Sequence, residues 1–172
     1  MKWLIIGCLL SLTSGLAFAD ARNGGMPPPG PKEWGQPADG LVAGIWIDQT
    51  QFQVGQPIIV HYQIKNVGQQ KRTVWHSGFW PNHQIVVQDA AGQEVARTPF
   101  GQQGRAAFAP EGPREKNVPV ELAPGQVDRA LSSYNLRQLF VLDKPGKYTV
   151  QYLYQEGKTP VWSNVVPFEI VE

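Results

Sequence analysis

Residues 55–66 read Gly-Gln-Pro-Ile-Ile-Val-His-Tyr-Gln-Ile-Lys-Asn. Gly55-Gln56-Pro57 is turn chemistry, because glycine accepts a positive φ and proline fixes its own. After it, Ile58, Val60, Tyr62 and Ile64 alternate with Ile59, His61, Gln63 and Lys65. Successive side chains of a strand point to opposite faces, so this pattern predicts a strand with the first set on a core. His61 then faces outward, and Asn66-Val67-Gly68 ends the element.

The same grammar extends in both directions. Upstream, Ile45-Trp46-Ile47 and Gln51-Phe52-Gln53-Val54 flank the polar Asp48-Gln49-Thr50. Downstream, Thr73-Val74-Trp75 and Gln84–Gln88 read as strands, and Asp89-Ala90-Ala91-Gly92 is a hairpin turn with Gln93–Arg97 as its second arm. Phe100–Arg114, rich in glycine with two prolines, predicts a long loop. Val118–Leu122 is a strand closed by Ala123-Pro124-Gly125, and Asp128–Leu131 suggests another. Ser133–Phe140 admits a short helical turn capped by Ser133. Lys144-Pro145-Gly146-Lys147 is a turn before the alternation of Tyr148, Val150, Tyr152 and Tyr154, and the chain ends in Asn164–Ile170. Pro167 cannot donate to a ladder, which predicts an edge strand or a bulge there.

About eight short strands without amphipathic helices between them exclude parallel βαβ units. The expected fold is all-β: an antiparallel immunoglobulin-like β-sandwich over residues 41–172, with a closed barrel as the alternative. Leu142-Asp143-Lys144-Pro145-Gly146-Lys147-Tyr148 resembles the L-x-x-P-G-x-Y approach to the penultimate strand of immunoglobulin-like and fibronectin-III-like domains. That resemblance implies a tyrosine corner, in which the hydroxyl of Tyr148 bonds back to the backbone just upstream. The order of Asn66, Ser77-Gly78, Asp89–Gly92, Pro124-Gly125 and Tyr148 is also similar to bacterial proteinase-inhibitor domains of the BsuPI type. It implies inhibition as one activity, without assigning inhibitory residues.

The first residues carry addressing information. Lys2, the apolar run Trp3–Leu10 and the small-residue triplet Ala17-Phe18-Ala19 predict a signal peptide over residues 1–19, cleaved before Asp20. Cys8 is the single cysteine, and Ile5-Ile6-Gly7-Cys8 loosely resembles a lipoprotein signal, though the apolar run before it is short. Cleavage after Ala19 would leave no thiol, hence no disulfide and no cysteine nucleophile. Residues 20–40 form a Pro/Gly-rich tail, expected to be disordered or polyproline-like because only Met26 and Trp34 are large and apolar. The chain carries 15 Lys plus Arg against 14 Asp plus Glu, and no block of like charge. That balance argues against nucleic acid and anionic membranes as partners, both of which need a basic patch. An exported, periplasmic or extracellular protein is expected, without a membrane span after the signal peptide.

The densest chemical feature is residues 75–83, Trp75-His76-Ser77-Gly78-Phe79-Trp80-Pro81-Asn82-His83. With Trp162, its Trp75, His76, Phe79, Trp80 and His83 form a candidate surface for a protein or carbohydrate ligand, since aromatic rings stack on sugar faces. Against this, rings of this kind also close the open end of a sandwich. His61, His76 and His83 are the three histidines, and three imidazoles suffice for copper or zinc. The bland counterpart is histidines that satisfy hydrogen bonds. No cofactor is expected. Ser77, Ser132, Ser133 and Ser163 lie outside any G-x-S-x-G, and Glu111 and Glu115 lie in the glycine–proline stretch, which gives no fixed carboxylate pair. The expected function is a non-catalytic binding module, with metal binding and proteinase inhibition as alternatives.

Overall fold

A computed structural model describes residues 30–76, 82–107, 118–128, 132–156 and 158–172. The strands are β1 (Leu41–Ile47), β2 (Gln51–Gln53), β3 (Ile59–Asn66), β4 (Arg72–His76), β5 (His83–Asp89), β6 (Val118–Leu122), β7 (Ser132–Asn135), β8 (Gly146–Glu156), β9 (Thr159–Trp162) and β10 (Val166–Val171). Two helices interrupt them, α1 (Pro99–Ala107) and α2 (Leu136–Leu139). A first sheet runs β1-β3-β7, and a second runs β2-β10-β8-β5 with β9 also on β8. β4 and β6 form a separate ribbon. Pairing is antiparallel except for β2 with β10.

The alternation read from the sequence is what joins the two sheets. Val60, Tyr62 and Ile64 from β3 and Ile85, Val87, Val150 and Tyr152 from β5 and β8 share one buried cluster. Tyr62 of the first sheet stacks on Tyr152 of the second with ring centroids 4.3 Å apart. The fold is therefore an all-β sandwich. The tyrosine corner is present, with the Tyr148 hydroxyl donating to Lys144 C=O at 2.9 Å.

Several expectations need correction. Ten strands are described where about eight were expected; β2 falls within the expected Gln51–Val54, and β9 is a short addition on β8. Of the Pro/Gly-rich tail, residues 30–40 pack on the first sheet: Gly35 N–H donates to Ala43 C=O at 2.9 Å, and Ala38 exchanges two bonds with Leu41. Pro31 and Trp34 lie so close to Gly44 that a Cβ there would meet them at 2.5 and 3.1 Å. A glycine in the strand makes room for the proline and tryptophan that composition alone assigns to a tail.

Part of the expected loop Phe100–Arg114 is helix. Thr98 caps α1, its hydroxyl accepting from Gly101 N–H at 3.1 Å, and Pro99 occupies the first helical position, where no N–H is needed. Gly101 rests on the backbone of Leu139, where a Cβ would fall 2.1 Å from the carbonyl oxygen. Gly101, one of the glycines that suggested a loop, is the point of contact between the helices, and Gly104 is also buried. Ser133 is a strand residue, and the cap of α2 is Asn135, whose side chain accepts from Arg137 N–H. Of the expected strand Asp128–Leu131 only Asp128 lies within the described residues, outside any strand, and β7 runs Ser132–Asn135. Gln93–Arg97 does return beside β5, with Asp89 N–H donating to Gln93 C=O and Val95 N–H to Val87 C=O, both at 2.9 Å, but as isolated bridges rather than a strand. β10 is an edge only around Pro167: from Glu169 onward it pairs with β2, starting with Glu169 N–H to Thr50 C=O.

Candidate functional site

The segment 75–83 joins the ribbon strand β4 to the sheet strand β5, and its two ends are tied together. Pro119 stands opposite Trp75 and has no N–H to offer it. Trp75 uses its own N–H and C=O on side chains of the second sheet instead. Its N–H donates to the Tyr154 hydroxyl at 3.1 Å, and its C=O lies 3.2 Å from His83 Nε2. A carbonyl only accepts, so Nε2 carries the proton, and in the neutral ring Nδ1 accepts from the Tyr152 hydroxyl at 2.5 Å. Burial first, then the neighbouring Tyr62, Tyr154 and Asp128, pushes the Tyr152 hydroxyl well above the ordinary tyrosine range, so it stays a donor.

This geometry redistributes the candidate residues. His83 is 2 % exposed, with its ring among Tyr62, Tyr152 and Tyr154. It is a core hydrogen-bonding residue, not a half-exposed one. Trp75 is partly buried beside it. Phe79 and Trp80 lie outside the described residues, as does the side chain of His76. Trp162, grouped with segment 75–83 as a candidate ligand residue, is the last residue of β9 and faces the other way: it pairs with Leu153, one position out of phase with Tyr152 and Tyr154. It is 38 % exposed.

The described histidines do not meet. His61 lies on the outer face of the first sheet, stacked on Trp46 at 5.3 Å with Nε2 3.3 Å from an Asp48 carboxylate oxygen. His83 is on the inner side, against Tyr62, so the sheet separates the two rings. No group of three metal-ligating side chains occurs among the described residues.

One juxtaposition was missed by the sequence reading. Ser133 stands opposite His61 in the β3–β7 ladder, so serine, histidine and Asp48 share one face. No hydrogen bond joins the Ser133 hydroxyl to the imidazole among the described residues, and that bond is the first requirement of an activated nucleophile. The signal lay in strand register, which a sequence separation of 72 residues does not carry. Trp46 is 8 % exposed, and its indole N–H has no hydrogen-bond partner among the described residues.

No protein-family model and no curated protein matches the chain. Among solved structures, a β-glucosidase from Erythrobacter marinus is similar at 12 % identity and TM-score 0.42, over 76 % of this chain. A β-glucosidase from Listeria innocua is similar at 14 % identity and TM-score 0.36. The chain spans only 15 % and 16 % of the length of these two enzymes. The CARDB domain of the PF1109 protein from Pyrococcus furiosus, solved with di-metal ions, is similar at 12 % identity and TM-score 0.37 over 84 % of this chain and 95 % of that one. The sandwich assignment rests on the strand pairing and the shared core.

Proposed function

We propose that this chain acts outside the cytoplasm as a non-catalytic binding module, with its ligand contacts around residues 75–83 and on the adjoining strands. The observation that carries the reading is the anchoring of Trp75 and His83. Two side-chain hydrogen bonds to the Trp75 backbone and a buried His83–Tyr152 bond hold both ends of a short connection in which the sequence places Phe79 and Trp80. A loop held at both ends by a rigid sheet is where binding residues are commonly presented. Export rests on the Ala17-Phe18-Ala19 triplet, and the mature protein should begin at Asp20 on N-terminal sequencing.

The test compares the wild-type chain, a Phe79→Ala/Trp80→Ala double variant and a distant surface control, Val118→Ser, against envelope extracts and a glycan array. A ligand retained by wild type and control but lost by the double variant supports the reading. Equal retention by all three removes the loop from it. The proteinase-inhibitor alternative, implied by resemblance, is settled by assaying common secreted proteases with the purified chain. A hydrolytic alternative would rest on Asp48, His61 and Ser133, and Ser133→Ala would then abolish any turnover found.

A further inference from the structure

We propose that the outer face of the second sheet is a binding platform for a neutral oligosaccharide chain, with Trp162 as its stacking residue. This rests on the binding-module reading and names its ligand class. Directly opposed residues of neighbouring strands share a face. The register sets Gln84, Leu153 and Trp162 in one row, Val86 and Gln151 in the next, and Gln88, Thr149 and Pro167 two residues further on. Tyr152 and Tyr154 alternate with these residues and fill the core, so the rows lie on the outside. Strands advance about 3.4 Å per residue, which separates the Trp162 row from the Gln88 row by ~14 Å. A groove of about 770 Å³ lies at the Gln88 end, lined by Lys147, Thr149, Val165, Pro167 and Glu169 among others. A groove of that size suits a small organic ligand. With an aromatic ring at the far end, the face suits a chain rather than a single sugar.

Charge decides the ligand class. The chain carries 15 basic and 14 acidic side chains, yet none belongs to the three rows just named. Charge is confined to the groove end, where Asp89, Lys147 and Glu169 are among the lining residues and acidic groups outnumber the one base. Lys147 and Glu169 form the next pair, and Glu94, beside Gln88, is already held by Arg97 and Arg105. A polyanion therefore meets no cationic row. An uncharged, hydroxyl-rich polymer finds amides that both donate and accept, and an aromatic ring for its apolar sugar faces. Gln151 is oriented in advance by its bond to Ser163 C=O at 2.9 Å, which lowers the ordering cost of binding. A protein partner would be expected to seat an apolar centre ringed by polar groups. Here the apolar residues form no exposed centre: Leu153 is buried beside Trp162, and Val86 stands among amides and hydroxyls.

The test applies the full chain to an array of neutral and acidic oligosaccharides, then titrates cellohexaose, xylohexaose, laminarihexaose and heparin while following tryptophan fluorescence. We expect binding of at least one neutral oligosaccharide, insensitive to salt, weakened about tenfold by Trp162→Ala, the size of one lost aromatic contact. Gln151→Ala should weaken it severalfold. Retention of acidic glycans only, or of none, overturns the proposal. So does neutral-glycan binding that Trp162→Ala leaves unchanged. If Phe79→Ala/Trp80→Ala abolishes a captured ligand that Trp162→Ala does not affect, the module reading stands and the platform falls.

Discussion

The two outer faces of the sandwich are treated differently by the chain. On the first sheet, Val42, Gly44 and Trp46 point away from the core and are nonetheless buried. Residues 30–38 lie over them, with Pro31 and Trp34 against Gly44 and the Lys65 ammonium 6.0 Å from the Trp34 ring. On the second sheet, the outward positions Gln88, Trp162, Val165 and Pro167 are exposed. One face is closed by the chain's own N-terminal segment; the other is open at Trp162 and toward Gln88 and Pro167, with Leu153 buried between Gln84 and Trp162. A covered face contributes to stability, and an open face with a groove, amides and a tryptophan is available to a ligand.

The sharpest way to break the cover is Gly35→Ala. A Cβ at that position would fall 1.9 Å from the Trp162 carbonyl oxygen, a backbone atom that cannot swing away. We expect a loss of about 3 kcal/mol or more in urea unfolding, with Val42 and Trp46 gaining solvent exposure. Trp34→Ala removes the ring itself and leaves the segment in place. Trp34 is half-buried, so the expected loss is about 2 kcal/mol, measured the same way.

A smaller effect belongs to the edge of the open sheet. Burial raises the Glu94 carboxyl, but hydrogen bonds to Arg105 and Arg97 and their charges outweigh it, and the group sits below its ordinary value of 4.5. A carboxyl lowered in the folded state adds stability above its unfolded pKa, and that stability is lost as pH falls through the folded value. Glu94 is about one-third exposed, which limits the contribution to about 1 kcal/mol. Glu94→Gln should therefore be less stable than wild type at neutral pH, with the gap closing in acid. A gap constant from pH 7 to pH 3 would show that the ion pairs are not its source. The smallest effect is expected for Trp162→Ala, within about 0.5 kcal/mol of wild type, because the ring already faces solvent. The same residue type, removed from each face, thus separates a structural tryptophan from one free to bind.

The core was legible because its signal is local. Ile58, Val60, Tyr62 and Ile64 announce their face within seven residues, and all four are buried. Leu142–Tyr148 likewise contains both partners of the tyrosine corner region. The cover over the first sheet was not read, although one sign was present. Leu41–Ile47 is apolar at every position, which is how a strand buried on both faces looks. Helix α1 was hidden because Gly101 and Gly104 lower helix propensity, although both are its buried residues and Gly101 rests on Leu139. The candidate site was legible only as composition. The outward face of His61 followed from the alternation of residues 58–65, but which way His83 and Trp162 face depends on register between strands distant in sequence, and a shift of one residue would reverse both.

The division between a covered and an open face is tested most directly by hydroxyl-radical footprinting of the native full chain, read out by mass spectrometry at individual tryptophans. We expect Trp162 to oxidise rapidly, as a residue 38 % exposed should, and Trp46, at 8 %, to remain protected until the protein unfolds. Comparable oxidation of Trp46 and Trp162 in the native state would contradict it.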